Sequence, residues 1–240
     1  MGDVILITGA GKPTGIGFEA ARQLAQAGGS VILTARRGAD ADARATELRG
    51  LGHDVAGLEL DVTDDGSIDA VANAVRARHG RLDVLINNAA ATGVYGETIA
   101  VADLDTARAT LEATLFGAWR VTQAMLPLLN HSDVARIVNV SSGAGSHADP
   151  AFGLTTGNGM GAAYGIAKAA LNALTSRLAV ENPGMRVNAV CPGFTATFEG
   201  GEAMGARPVA EGAAGVVWAA RLPKDGPTGG FFRDGQPLGW

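Results

Sequence analysis

The stretch VILITGAGKPTGIGFEAARQLAQAGG, residues 4–29, decides the fold. Val4 to Ile7 is a short apolar run of the kind that fills a buried parallel strand. Thr8 to Gly17 is a glycine-rich turn, and the residues after Gly15 follow helical periodicity. In such a strand, turn and helix the glycines let backbone approach a pyrophosphate closely. The N–H groups and positive dipole end of the helix opened by Gly15-Ile16-Gly17 favour an anion. Gly9, Gly11, Lys12, Gly15, Ile16 and Gly17 are therefore candidate dinucleotide-binding residues. A glycine turn alone is a weak signal, and its place directly after the first strand strengthens it.

Outward from this unit the same alternation continues. Apolar runs recur at 30–34, 53–60, 82–86, 135–140, 185–190 and 229–232, making seven strands with VILI. Helical segments are expected near 15–28, 38–50, 64–79, 101–130, 161–181 and 208–221, each long enough for a right-handed crossover. The pattern predicts an α/β fold with a doubly wound, seven-stranded parallel sheet flanked by helices, of Rossmann type. Without repeats or a linker, residues 1–240 read as a single dinucleotide-binding and catalytic domain. The least regular stretch, Gly143 to Gly161, reads as a loop beside the site.

Composition narrows the partners. The net charge of −5 and the lack of any Lys/Arg block longer than Arg36-Arg37 argue against a nucleic-acid or anionic-membrane footprint. A small molecule is the expected partner. Hydrophobic residues make up 47%, with no 18-residue apolar stretch, so no membrane span is expected. The single cysteine, Cys191, reads as a small core residue and favours a reducing compartment, hence a cytoplasmic location. The four histidines are scattered without metal-ligand spacing, and no metal is expected.

The second strand ends LTARR, residues 33–37. An acidic residue there would accept from ribose hydroxyls. Arg36 and Arg37 instead offer guanidinium groups suited to a 2′-phosphate, with Lys12 as a further cation. NADP(H) is the expected cofactor; solvated surface is the competing account of these arginines. Asp61-Val62, closing the third strand, offers an acceptor for an adenine amino group, and Asp61 can equally cap the next helix.

YGIAK places Tyr164 and Lys168 on one helix face, one turn apart. A nearby cation stabilises phenolate, so the pair suits proton exchange near neutral pH. ARIVNVSSGAG, residues 135–145, ends a buried strand in Ser141 and Ser142, and doubly wound sheets bind ligands at strand C-termini.

With these residues in order, the chain resembles the short-chain dehydrogenase/reductase family. The matching elements are the glycine turn after Thr8, Asp61-Val62, Asn87-Asn88-Ala89, Ser142, Tyr164 with Lys168, and Pro192-Gly193. The C-terminal PKDGPTGGFFRDGQPLGW and the lack of room for a long substrate lid look most like the carbonyl-reductase-like branch. The resemblance implies that Ser142 orients the substrate, Tyr164 delivers a proton and Lys168 holds the nicotinamide ribose and depresses the tyrosine pKa. It implies that Ser141 is structural and that Asn88 and Ala89 flank the riboses. Pro192, Gly193, Thr195 and Thr197 are implied to close over nicotinamide. The implied reaction is reduction of an aldehyde, ketone or quinone-like carbonyl with NADPH. A nucleotide-binding sensor with weak catalysis and an alcohol dehydrogenase working oxidatively stay open as alternatives, as do monomer and homo-oligomer.

Three departures stand out. The glycine segment has two extra residues between Gly9 and Gly15, Ala90 replaces a usual glycine, and Thr114 stands where the family usually has a proton-relay asparagine. Thr114 is retained as a catalytic candidate, with bonding to a helical carbonyl as its alternative.

Overall fold

The computed structural model describes residues 2–156 and 161–240. Eight strands form one sheet: β1 (Val4–Ile7), β2 (Ser30–Ala35), β3 (Val55–Glu59), β4 (Val84–Asn87), β5 (Arg136–Val140), β6 (Arg186–Val190), β7 (Phe231–Arg233) and β8 (Gln236–Pro237). Their order is β3-β2-β1-β4-β5-β6-β7-β8, parallel except for the antiparallel β7–β8 pair. The expected seven strands become eight because Asp234 and Gly235, with φ of 54° and 72°, close a two-residue hairpin. Asp-Gly is the dipeptide that tolerates positive φ at both central positions.

Alternation along the strands divides the core. Ile5 and Ile7 face the layer of α1 (Ile16–Gln26), α2 (Gly38–Gly50) and α7 (Val209–Ala220), packing with Leu24, Leu48 and Val216. Val4 and Leu6 face the opposite layer, where α3 (Asp65–His79), α5 (Gly117–Leu129) and α6 (Ala162–Glu181) contribute Val71, Met125 and Leu174. Because β1 lies between β2 and β4, the winding direction reverses there. The crevice at the β1 and β4 C-termini is where such sheets bind ligands.

The segment expected as one helix over 101–130 is divided. α4 (Leu104–Leu111) runs into a π turn at Glu112–Phe116 and then into α5. The extra residue in that turn rotates the helix face and turns Thr114 fully inward. No helix among the described residues is long and apolar enough to cross a membrane. Within the expected loop from Gly143 to Gly161, residues 157–160 lie outside the described residues.

Candidate active site

The glycine turn is shaped by close approaches. A Cβ on Gly9, whose φ is +68°, would stand 2.7 Å from Ala89 Cα, and one on Gly11 would stand 2.6 Å from Ala35 Cβ. At Gly17 it would strike the Asn88 amide. The two extra residues form a small turn of their own, in which Gly15 N–H donates to the Lys12 carbonyl at 3.0 Å. Gly15 precedes α1 without a side-chain cap, leaving the first helical N–H groups open to an anion. Ile16 itself points into the core.

Thr8 joins this turn to β4. Its Oγ1 accepts the N–H of Asn88 at 3.0 Å and of Ala89 at 2.9 Å, and Asn88 Nδ2 donates back to the Thr8 and Gly9 carbonyls. Beside it a cleft of about 710 Å³ is lined by Gly11, Lys12, Arg36, Asp61, Val62 and Ala89, among others. The nucleotide candidates after β1 up to Lys12 and those after β2, β3 and β4 therefore meet in one depression, whose lining does not include Gly15, Ile16 or Gly17. Arg36 is exposed and has no ion-pair partner among the described residues. Arg37 is held by Asp40 through Nε–Oδ2 at 2.7 Å and a second bond at 2.8 Å, a pairing that the i,i+3 spacing would have signalled. Glycines that admit a close ligand, open helix N–H groups and an exposed guanidinium together fit the phosphates of a dinucleotide.

Asp61 does not cap the third helix. Its carboxylate accepts from the N–H and hydroxyl of Thr63 at 2.9 and 2.7 Å, and Asp64 caps α3 through the Ser67 N–H. The Thr63 bonds hold the Asp61 carboxyl below its ordinary pKa.

At the C-terminus of β5 the two serines diverge. Ser141 is buried and bonds Asn172 Oδ1 at 2.5 Å. Ser142 turns outward, capping a short 3₁₀ turn through Ala144 N–H at 3.2 Å. Lys168 is 3% exposed and donates from Nζ to the Val140 carbonyl at 2.7 Å. Its ammonium lies 5.6 Å from the centroid of the Tyr164 ring, over the face.

Burial dominates both titrations. It pushes the Tyr164 phenol up to about 12, against the opposing pull of the Ser142 hydrogen bond, and pushes Lys168 down to about 8. The lowering of the tyrosine pKa by lysine that the resemblance implies is not among the causes acting here, where burial raises the phenol. The cation faces the ring and the Val140 carbonyl.

Thr114 Oγ1 accepts the Ala91 N–H at 3.3 Å. It braces the loop after β4 and bonds neither Lys168 nor a carbonyl of its own helix. Thr195 is likewise turned inward, its hydroxyl donating to the Pro192 carbonyl at 3.0 Å. Thr197 sits against the glycine turn, its carbonyl accepting from Thr14 Oγ1 at 3.2 Å. Arg207 anchors this segment through the Pro192 carbonyl at 2.8 Å and Asp234 at 2.8 Å.

Two polar systems escaped sequence reasoning. Asn87 Nδ2 donates to Thr122 Oγ1 and Asn139 Oδ1, and Asn139 donates to Thr175 Oγ1 at 2.8 Å, tying β4 and β5 to α5 and α6. Cys191 is buried as expected, yet its Sγ accepts from Gly143 N–H at 3.1 Å and from Arg233, which Asp149 holds. Arg233 and Cys191 are 42 residues apart and Arg233 and Asp149 84, so no local pattern marks them.

Residues 3–204 match the family model described as short chain dehydrogenase. The chain is 30% identical to (+)-neomenthol dehydrogenase of Capsicum annuum, over 95% of this chain and 94% of that one. Among solved structures, salutaridine reductase of Papaver somniferum superposes with a TM-score of 0.80 at 31% identity, covering 97% and 99% of the two chains. An actinorhodin polyketide ketoreductase variant with NADPH gives 0.83 at 28% identity, covering 97% and 95%. The chain thus belongs to the short-chain dehydrogenase/reductase family, as a carbonyl-reductase-like oxidoreductase that works on CH–OH and C=O groups with a nicotinamide cofactor.

Proposed function

We propose that this chain, as one catalytic domain spanning residues 1–240, reduces an aldehyde, ketone or quinone-like carbonyl to an alcohol with NADPH, Tyr164 delivering the proton. The observation that carries this is buried Lys168, tied to the Val140 carbonyl at the strand end that delivers Ser142, with its ammonium 5.6 Å from the centroid of the Tyr164 ring.

Gly9, Gly11, Gly15, Gly17 and the N–H of Ile16 cradle the pyrophosphate, while Arg36 and Lys12 meet the 2′-phosphate. Arg37 joins them on leaving Asp40. Asp61 and Val62 receive the adenine, Asn88 and Ala89 flank the riboses, and Pro192 to Thr197 cover the nicotinamide. Thr195 acts there through the turn its hydroxyl closes. The bound nicotinamide supplies the hydride.

Ser142 hydrogen-bonds the carbonyl oxygen and aligns it with Tyr164. Burial keeps Tyr164 protonated at neutral pH, the state a proton donor needs. Lys168, poised near 8, exchanges protons readily and holds the nicotinamide ribose. Thr114 contributes by fixing the loop beyond β4. The relatives include a salutaridine reductase and a polyketide ketoreductase with NADPH, which supports the reductive reading. The small-molecule substrate and nicotinamide cofactor go with a cytoplasmic location.

The test is a panel of carbonyl compounds offered with NADPH and, separately, with NADH. Oxidation of NADPH in preference to NADH is expected. Oxidation of neither with any carbonyl would contradict the proposal.

A further inference from the structure

Three phenylalanines form a row beside the site, Phe194 within the segment from Pro192 to Thr197 and Phe152 and Phe198 outside it. The rings of Phe152 and Phe194 have centroids 6.1 Å apart at 42°, and those of Phe194 and Phe198 6.4 Å apart at 45°. These are favourable tilted geometries. Even so, Phe152, Phe194 and Phe198 remain 40%, 38% and 45% exposed.

Their backbones are firmly held. The Asp149 carboxylate accepts the Ala151 and Phe152 N–H groups at 2.9 and 3.0 Å as well as Arg233, and a Cβ on Gly143, next to Ser142, would strike it. Phe152 therefore stands on a turn packed against the Ser142 strand end. Phe194 follows Gly193, whose N–H meets the same Cys191 sulfur that accepts from Gly143. Phe198 follows Thr197, tied to the glycine turn by Thr14. Leu154 extends the apolar surface to Gly165, the neighbour of Tyr164. The row thus runs from the Ser142 side of the site to the glycine turn, on two anchored segments. Exposed apolar surface held this way marks a ligand site.

We propose that Phe152, Phe194 and Phe198 form the wall on which the hydrocarbon body of the substrate rests, selecting bulky cyclic or aromatic carbonyls over small ones. This rests on the carbonyl-reducing reading above. The occupant is the substrate because the Phe152 turn packs against the strand end that carries Ser142 and Leu154 reaches Gly165, next to Tyr164.

The test compares kcat/KM for 2-tetralone and 2-butanone with NADPH, in the wild type and in Phe152→Ala, Phe198→Ala and the corresponding leucine variants. The wild type should favour 2-tetralone, and each alanine variant should lower the ratio about tenfold, mainly through the KM for 2-tetralone. The leucine variants should recover most of it, which a folding defect would not produce. A ratio unchanged by either alanine substitution, or equal losses for both ketones, would overturn the proposal. Reduction of 2-butanone but not 2-tetralone, or of neither while another carbonyl of the wider panel is reduced, would overturn it alone and leave the carbonyl reading standing, whereas reduction of no carbonyl in that panel would remove both. A dimer in solution that Phe198→Ala dissociates, with the ratio unmoved, would assign the row to a second copy instead.

Discussion

Lys168 donates its Nζ proton to the carbonyl of Val140 at 2.7 Å, so the buried ammonium is held by the strand that delivers Ser142. One strand end therefore positions both the serine and, through lysine, one face of the tyrosine ring. Because the ammonium is desolvated, its charge is costly in the folded protein, with measurable consequences.

The pH dependence of stability should carry the signature of Lys168. Its pKa is lowered from the ordinary 10.5 to about 8. Between those values the unfolded chain binds more protons than the folded one, so stability rises with pH through this window. Below about 8 the penalty is constant. Tyr164 acts oppositely at higher pH: with a folded value near 12, it reduces stability as pH rises above 10. Urea unfolding of wild type and Lys168→Met from pH 7 to 10 should show the wild type gaining on the variant above pH 8. Parallel curves would place the lysine titration elsewhere.

Cofactor choice should depend unequally on the two arginines. Arg36 makes no ion pair among the described residues, with Asp61 only within the reach of its field, whereas Arg37 must give up Asp40 to reach a phosphate. Loss of a charge-assisted phosphate contact costs about 1.5–3 kcal/mol, so Arg36→Ala should lower the NADPH over NADH affinity ratio by roughly tenfold or more. Arg37→Ala should lower it less, and Asp40→Ala should raise it. Fluorescence titration of both reduced cofactors measures each ratio, and an unchanged ratio in Arg36→Ala would remove Arg36 from this role.

The asparagine pair should matter for stability. Asn139 is fully buried and joins Asn87 to Thr175, so Asn139→Ala leaves two buried polar groups with one partner fewer. A loss of about 2–4 kcal/mol is expected from unsatisfied donors and the cavity together. Denaturant unfolding checks it, and a loss under 1 kcal/mol would mean that the network is readily rebuilt.

Much of this architecture was legible because local signals and fold agree. β1, the glycine turn and α1 combine a strand, permissive backbone and helical period within 23 residues, Val4 to Gln26. The π turn around Thr114 was not legible, since a 3.6-residue period gives no warning of one extra residue. β8 was signalled by Asp234-Gly235, but its two residues are too short for an alternation pattern. Of the site candidates, Tyr164 and Lys168 were marked by local spacing and Ser142 by its place at a strand end, and their proposed roles come from the family resemblance. Cys191, Arg233, Asp149 and the phenylalanine row come together only through tertiary packing.

The most direct measurement is single-turnover and steady-state NADPH oxidation by Tyr164→Phe, alongside NADPH affinity. Removing the phenolic hydroxyl deletes the proton donor while leaving the glycine cradle and Arg36 in place. Turnover should fall by about 10²–10⁴, the scale of general acid catalysis, with NADPH affinity changed less than about threefold. Turnover near the wild-type rate with intact cofactor binding would contradict Tyr164 as the proton donor.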